Sequence, residues 1–320
     1  MSTPIRTAFV TGANGYIGNA IAKAFNRAGW KTYGLIRNEK DAPDLALNEI
    51  HPVIGSPADL TFLKQTEGVV FDVIISNTED WSDMSGHLKQ VKTMIEKIAE
   101  MSYSAGVRSL VMFTSGCKDY GMMDKKHGDE GLAPHTESSP MNTPAQLLPR
   151  EQYGTYLLEQ KNALYDAVVL RPTIVYGHSS SHYGPLFELA SQSEKTLKLI
   201  ADPHAIMHSL HVDDCAQAYV MLAEYSDRQK IVQQAYNISN QHYETAQQIG
   251  EALAASYDLE LEFEAPIDEI DITTVHGLAN FWQWVGSDKI RQDVGWQETK
   301  TTFIDGINEY RLAYEARQMP

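Results

Sequence analysis

Short apolar blocks alternate along the chain with segments of helical spacing. The apolar runs cover Thr7 to Val10, Lys31 to Arg37, Val69 to Ser76, Ser109 to Ser115 and Ala167 to Leu170. Helical patterns fall between them, over Gly18 to Ala28, a short patch at Asp59 to Gln65, and a long stretch from about His87 to Ala105. Continuous apolar runs of strand length suit strands covered on both faces, and the intervening helices supply that cover. The alternation predicts an α/β fold built on a doubly wound parallel sheet, with the C-terminal strand ends gathered on one rim by right-handed crossovers.

Two stretches break the alternation. Gly116 to Arg150 is rich in Gly, Pro, Ser, His and charge without a clear period, and His178 to Pro185 interrupts the pattern before a helix over Leu186 to Gln192. Long irregular segments inside a compact domain are commonly binding loops, and excursions beyond the strand ends of such a sheet build a substrate lobe. The expected division is therefore a dinucleotide-binding Rossmann domain over 1–177, completed by about 209–240, with 178–208 and 241–320 forming mainly a smaller C-terminal substrate-binding lobe.

The first apolar run leads straight into Thr11-Gly12-Ala13-Asn14-Gly15-Tyr16-Ile17-Gly18. Strand, glycine-rich turn and helix in this order form a dinucleotide-binding fingerprint. Gly12 permits the tight turn, Gly15 lets backbone approach a pyrophosphate, and Gly18 lets the helix pack against the strand. The helix N-terminus then offers its amides to phosphate, so Asn14, Tyr16 and Ile17 join the glycines as candidate cofactor contacts. At the end of the second apolar run stands Arg37, with no carboxylate before Glu39. An acid there would accept from a ribose 2′-hydroxyl, whereas a guanidinium fork matches a 2′-phosphate, so NADP(H) is expected over NAD(H).

Composition narrows the partners. The 320 residues carry 26 Lys plus Arg against 42 Asp plus Glu, a formal charge of −16, which disfavours nucleic acid. No apolar stretch approaches membrane-spanning length and no secretory segment opens the sequence, so a cytoplasmic protein acting on a small molecule is expected. Cys117 and Cys215 cannot make a disulfide framework. The histidine spacings match no metal pattern, and no metal site is expected. The apolar stripe of the 87–105 helix suits packing on the sheet or a homodimer equally well.

The glycine spacing resembles the TGxxGxxG turn of the short-chain dehydrogenase/reductase superfamily, particularly its extended, NAD-dependent epimerase/dehydratase-like branch. Later segments extend the likeness over nearly the whole chain: Phe113-Thr114-Ser115 with Tyr120-Gly121, Leu170-Arg171-Pro172-Thr173-Ile174-Val175-Tyr176-Gly177, Ser209-Leu210-His211-Val212-Asp213-Asp214, and Ser287 to Trp296. The resemblance implies that Ser76, Thr114, Pro172 and Thr173 line the cofactor. It also implies a Ser or Thr and a Tyr with a Lys four residues on, because a phenol titrating at about 10 needs a neighbouring cation to act near neutral pH.

Here the chain departs from the pattern. Tyr153 is followed at that distance by Leu157, Tyr156 by Gln160, and four residues before Tyr120 stands Gly116. The candidate catalytic set is Tyr153 as proton donor, Ser115 or Thr114 as oxyanion partner, and Arg150, three residues before Tyr153, as the replacement cation. Two functions follow: an NADP(H)-dependent oxidoreductase acting on a carbonyl or hydroxyl group, or a dinucleotide-binding protein that transfers no hydride, as a sensor, regulator, or redox-neutral isomerase, cyclase or dehydratase. Asp213 and Asp214 read as helix-start residues, His211 as a structural histidine, and Trp282, Trp284 and Trp296 as core of the smaller lobe.

Overall fold

A computed structural model describes residues 5–179, 182–265 and 274–318. Its strands are β1 (Thr7–Thr11), β2 (Lys31–Ile36), β3 (His51–Ile54), β4 (Val73–Ser76), β5 (Ser109–Thr114), β6 (Tyr165–Pro172), β7 (Ile174–Tyr176), β8 (Thr196–Ile200), β9 (Ser209–His211), β10 (Gln234–Ile238) and β11 (Glu260–Glu264). Its helices are α1 (Tyr16–Arg27), α2 (Ala42–Ala46), α3 (Met84–Ser104), α4 (Leu148–Glu159), α5 (Gly184–Gln192), α6 (Val212–Glu224), α7 (Arg228–Ile231), α8 (Ala246–Tyr257), α9 (Val275–Asn280), α10 (Asp288–Val294) and α11 (Ile307–Gln318). Among the described residues no helix is long and apolar enough to cross a membrane.

Seven strands form one sheet in the order β10-β6-β5-β4-β1-β2-β3, every pair parallel. Successive side chains of a strand point to opposite faces, so each strand feeds two cores. Val10, Ile75, Met112 and Leu170 face a layer containing α1 and α6, while Phe9, Ile74, Val111, Phe113 and Val169 face α3 and α4. This is the doubly wound Rossmann arrangement expected from the alternating runs.

The run beginning at Val69 enters the sheet only at Val73; Asp72 instead directs its N–H to the Thr7 carbonyl at 3.1 Å. Strand β3 was not marked by an apolar run, since an edge strand beginning with exposed His51 and carrying a proline lacks continuous burial. The loop from Gly116 ends earlier than its composition indicates, because α4 opens with proline at its first turn and already includes Arg150.

A third core, with Tyr176, Tyr183, Phe187, Leu199, Met207, Ile249, Leu253, Phe303 and Tyr310 fully or almost fully buried, unites α5, α8 and α11 beside the parallel pair β8 and β11. The C-terminal region does not all join it. Ile290 and Trp296 pack into the α1–α6 layer instead. Trp296 donates its indole N–H to the Asp214 carbonyl at 3.1 Å, and the Asp214 carboxylate accepts from the backbone N–H groups of Thr299 and Lys300 at 3.0 and 2.9 Å. Of the three tryptophans assigned to the small lobe, Trp296 therefore covers the sheet domain, and Asp214 is a clamp on the 299–300 backbone. The helix cap is His211, whose Nδ1 accepts from the Asp213 N–H at 3.1 Å.

Candidate functional site

The glycine turn bends as its spacing requires. Gly12 has φ +63, a conformation that side chains rarely adopt, and a Cβ there would lie 3.0 Å from the Asn77 carbonyl oxygen. A Cβ on Gly18 would come within 2.2 Å of the Gly12 carbonyl oxygen, so this residue holds helix and turn in contact. Gly15 donates its N–H to that same carbonyl at 2.8 Å and caps α1 without a side-chain acceptor, and the first turn of α1 carries no acid. An α-helix leaves its first amides without intrahelical partners, which favours an anion there. Gly15, Tyr16 and Ile17 line a cavity of about 510 Å³ at the C-terminal rim of the sheet.

The remaining expected cofactor contacts divide. Thr114, Pro172 and Thr173 line the cavity. Ser76 does not: its hydroxyl is buried within β4 without a hydrogen-bond partner among the described residues, and the next residue, Asn77, reaches the cavity in its place. Asn14 is exposed and donates to Asp41 at 2.9 Å, and Arg37 is exposed just past β2. A cradle of close-packed glycines, acid-free amides and an adjoining cavity fits a dinucleotide.

The opposite wall is built from charge. Arg150 is only 7% exposed, and its Nη2 donates to fully buried Asp119 at 2.6 Å. Its Nη1 donates to Glu79 at 2.8 Å. Ser115 donates its hydroxyl to the second oxygen of Asp119, which links Ser115, Asp119, Arg150 and Glu79 in one chain. Burial works against the guanidinium charge, but Asp119 and Glu79 more than offset it and raise the Arg150 pKa. Gly116 lets Arg150 pack close against the backbone, since a Cβ there would stand 3.2 Å from Arg150 Nη2.

Tyr153 does not share that wall. Its ring packs edge-on against Phe113, centroids 4.9 Å apart, in the α3–α4 core, and its buried hydroxyl has no hydrogen-bond partner among the described residues. Burial pushes the phenol well above its ordinary value, the reverse of what a proton donor needs. Three residues along a helix leave a substantial angular offset, enough here to turn Arg150 to the cavity and Tyr153 to the sheet. One turn beyond Arg150 stands Gly154, packed on Val169 and Phe113, and Lys161 lies past the end of α4.

Other lining groups are held by the lobe and the loops. Cys117 is 2% exposed, donates its Sγ–H to the Arg171 carbonyl at 2.9 Å, and is pushed up by burial, so it stays a thiol. His208 lies between the Asn240 carbonyl, 2.9 Å from Nε2, and the Val285 N–H, 3.1 Å from Nδ1. That pairing fixes a neutral ring with the proton on Nε2, and burial pulls its pKa down to about 4. Gln283 donates to the carbonyls of Cys117 and Gly121 at 2.9 and 2.6 Å and ties the lobe to the wall. Lys118 reaches the cavity with its Nζ 5.3 Å from the Phe281 ring.

Sequence reasoning missed Glu79, Trp81, Lys118 and Gln283 as lining residues. The first two had a usable signal, because they follow β4 directly and the C-terminal strand ends of an open α/β sheet form the binding crevice. Gln283 had none, being brought in by tertiary packing of the lobe.

His178, His211 and Asp213 place ligand-type atoms within 4.8 Å of one another. The Nδ1 lone pair of His211 already serves the α6 cap, its Nε2 abuts Gly177, and Lys300 Nζ stands 3.6 Å from Asp213. These contacts make the trio a capping and ion-pair cluster, with His178 Nε2 3.1 Å from both Asp213 oxygens.

Residues 8–239 match the sequence profile of the NAD dependent epimerase/dehydratase family. A curated relative, an uncharacterised protein of Schizosaccharomyces pombe, is 27% identical over 221 residues, 68% of this chain and 70% of that protein. A second, the 2-alkyl-3-oxoalkanoate reductase of Shewanella oneidensis, is 23% identical over 245 residues, 70% of this chain and 58% of the reductase. In fold, the chain is similar to dTDP-glucose 4,6-dehydratase of Bacillus anthracis solved with NAD, with TM-score 0.77, 17% identity, and coverage of 98% of this chain and 97% of that one.

Proposed function

The chain belongs to the NAD-dependent epimerase/dehydratase family, and from that premise we propose that it is an NADP(H)-dependent oxidoreductase acting on a carbonyl or hydroxyl group of a small organic molecule. The observation that carries this reading is the convergence of Ser115, Lys118 and Arg150 on the cavity that begins at Gly15, Tyr16 and Ile17. When bound, the nicotinamide ring supplies or takes the hydride. Arg150 cannot release a proton at any usable pH, so its role is to polarise or hold an oxygen. Lys118 is a cavity group able to give a proton to a developing alkoxide and to take it back in the reverse direction, and His182, which also lines the cavity, is the other. Ser115, whose proton is directed at Asp119, presents oxygen lone pairs to the cavity.

Exposed Arg37, with no acid before Glu39, supports NADP(H) over NAD(H). The name of the Shewanella oneidensis relative makes oxo acids the first substrate class to try. One observation favours the second reading, a dinucleotide-binding protein without hydride transfer: the phenol at Tyr153 is sealed in the core.

Calorimetric titration with NADPH, NADP⁺ and NADH, then NADPH absorbance against a panel of aldehydes, ketones and oxo acids, separates the two. Tighter binding of NADPH than NADH, with oxidation that Lys118→Met lowers by about a hundredfold or more while NADPH affinity holds, supports the reductase. Binding without oxidation across the panel moves the chain to the second reading, and absence of binding overturns both.

A further inference from the structure

Much of the polar lining of the cavity is already spent on the protein itself. Arg150 places one end of its guanidinium on Asp119 and the other on Glu79, at 2.6 and 2.8 Å. Ser115 gives its hydroxyl proton to Asp119, and Cys117 gives its thiol proton to the Arg171 carbonyl. Backbone groups engage both ring nitrogens of His208, and the Gln283 amide nitrogen serves the carbonyls of Cys117 and Gly121. Charge is balanced as well, since the two carboxylates on Arg150 answer its single positive charge with one to spare for Lys118.

The apolar lining is in a different condition. Away from the glycine turn it includes Trp81, Leu147, Ile206, Met207 and Phe281. Phe281 packs on Leu147, while the Ile206 carbonyl accepts from the Gln283 N–H at 3.1 Å and the Met207 N–H donates to the Glu244 carbonyl at 2.8 Å, so these four are firmly set in the lobe and the loop before α4. Trp81 differs: it is 52% exposed, a large ring lining the cavity and left half in water. Its connection, 77–83 between β4 and α3, is anchored by the Asn77 N–H on Thr11 Oγ1 at 2.8 Å and by Asp83 capping α3 at 2.9 Å, so the ring is presented from a fixed base. A ligand that covers it gains apolar burial that the protein alone does not make.

We propose that the carbonyl compound taken by this cavity carries an apolar chain, held by Trp81, Leu147, Ile206, Met207 and Phe281, and that the same surface rejects a polyhydroxylated body. The proposal rests on the small-molecule carbonyl reading above and adds the character of the substrate beyond its carbonyl. Lys118 Nζ stands 5.3 Å from the Phe281 ring, so a carbonyl held beside Lys118 has its chain directed along the apolar surface. Hydroxyl groups laid against those five residues would give up water without gaining protein partners, which makes the discrimination one of unpaired polar groups as much as of attraction.

The test is calorimetry, with and without NADP⁺, using straight-chain 2-ketones of four to nine carbons and L-erythrulose, the trihydroxy counterpart of 2-butanone. Affinity is expected to rise about two- to fourfold with each added methylene, the upper figure being the worth of a fully buried one. L-Erythrulose is expected to bind more weakly than 2-butanone. Trp81→Ala is expected to weaken 2-nonanone about tenfold and flatten the dependence on chain length, and Trp81→Phe to restore most of both, which separates lost apolar contact from a folding defect. Affinity that does not change with chain length, L-erythrulose binding as tightly as 2-butanone, or 2-nonanone affinity unmoved in Trp81→Ala overturns the proposal. Because the readout is binding, its failure is separate from that of the reductase reading: a protein that oxidises NADPH with short ketones and shows no chain-length dependence loses only this inference, and one that shows the Trp81 effect without turnover loses only the hydride step.

Discussion

The two walls of the cavity are built by different means. The glycine-turn wall is made of backbone from eleven to eighteen along the chain, shaped by residues without side chains and by the start of α1. The opposite wall is made of side chains drawn from Glu79, Ser115, Asp119 and Arg150, on three separate segments, joined by buried charge. A wall of local backbone is specified by neighbouring residues, whereas a wall of long-range ion pairs is specified only once the sheet and α4 have docked. The first is general to the cofactor, and the second is where this chain's own chemistry resides.

Breaking the charged wall has the largest expected effect. Asp119→Ala leaves Arg150 buried with only half-exposed Glu79 as partner, and is expected to cost about 3–5 kcal/mol in denaturant unfolding. Glu244 offers the opposite case, a buried carboxyl held by the Ile304 N–H at 2.8 Å rather than by a cation among the described residues. Burial raises its pKa from 4.5 to about 7. The folded state therefore holds this proton more tightly than the unfolded chain, so its contribution is complete below about pH 4.5 and is lost as pH rises through about 7. Glu244→Gln is expected to be more stable than the parent by about 2–3 kcal/mol at pH 8.5 and to converge with it near pH 4.5, as thermal melts across pH would record.

Breaking the backbone wall comes next. Gly18→Ala, whose Cβ would stand 2.2 Å from a carbonyl oxygen, is expected to cost about 1–3 kcal/mol and to weaken NADPH in a calorimetric titration by more than tenfold. Tyr153→Phe has the smallest effect and sharpens the contrast most. Its hydroxyl has no partner among the described residues and does not line the cavity, so stability within about 0.5 kcal/mol and unchanged NADPH affinity and turnover are expected. A large loss of turnover would return Tyr153 to the chemistry.

The contrast also accounts for what could be read from the residues alone. The glycine turn, the parallel sheet and its helices were legible because each is written in local periodicity and turn chemistry. Arg150 was legible as a cation at the site, since a missing lysine asks for one. Tyr153 was misplaced because α4 carries apolar and polar residues on all its sides, and nothing in Leu148–Glu159 indicates which face meets the sheet. Asp119 was passed over as one residue of an irregular loop, and its significance depends on meeting a guanidinium 31 positions later. Ser76 and Asn77 show the limit of resolution at a strand end, where a shift of one residue exchanges sheet interior for cavity.

The clamp at Asp214 has a consequence for how the protein is made. Synthesis delivers all strands of the main sheet by Ile238, yet Trp296 and the Thr299–Lys300 amides that cover α6 and satisfy Asp214 arrive some sixty residues later. A nascent chain emerging from the ribosome therefore carries a complete sheet with one layer unfinished and a carboxylate awaiting its donors, and a chain ended near residue 285 is expected to keep that apolar layer uncovered.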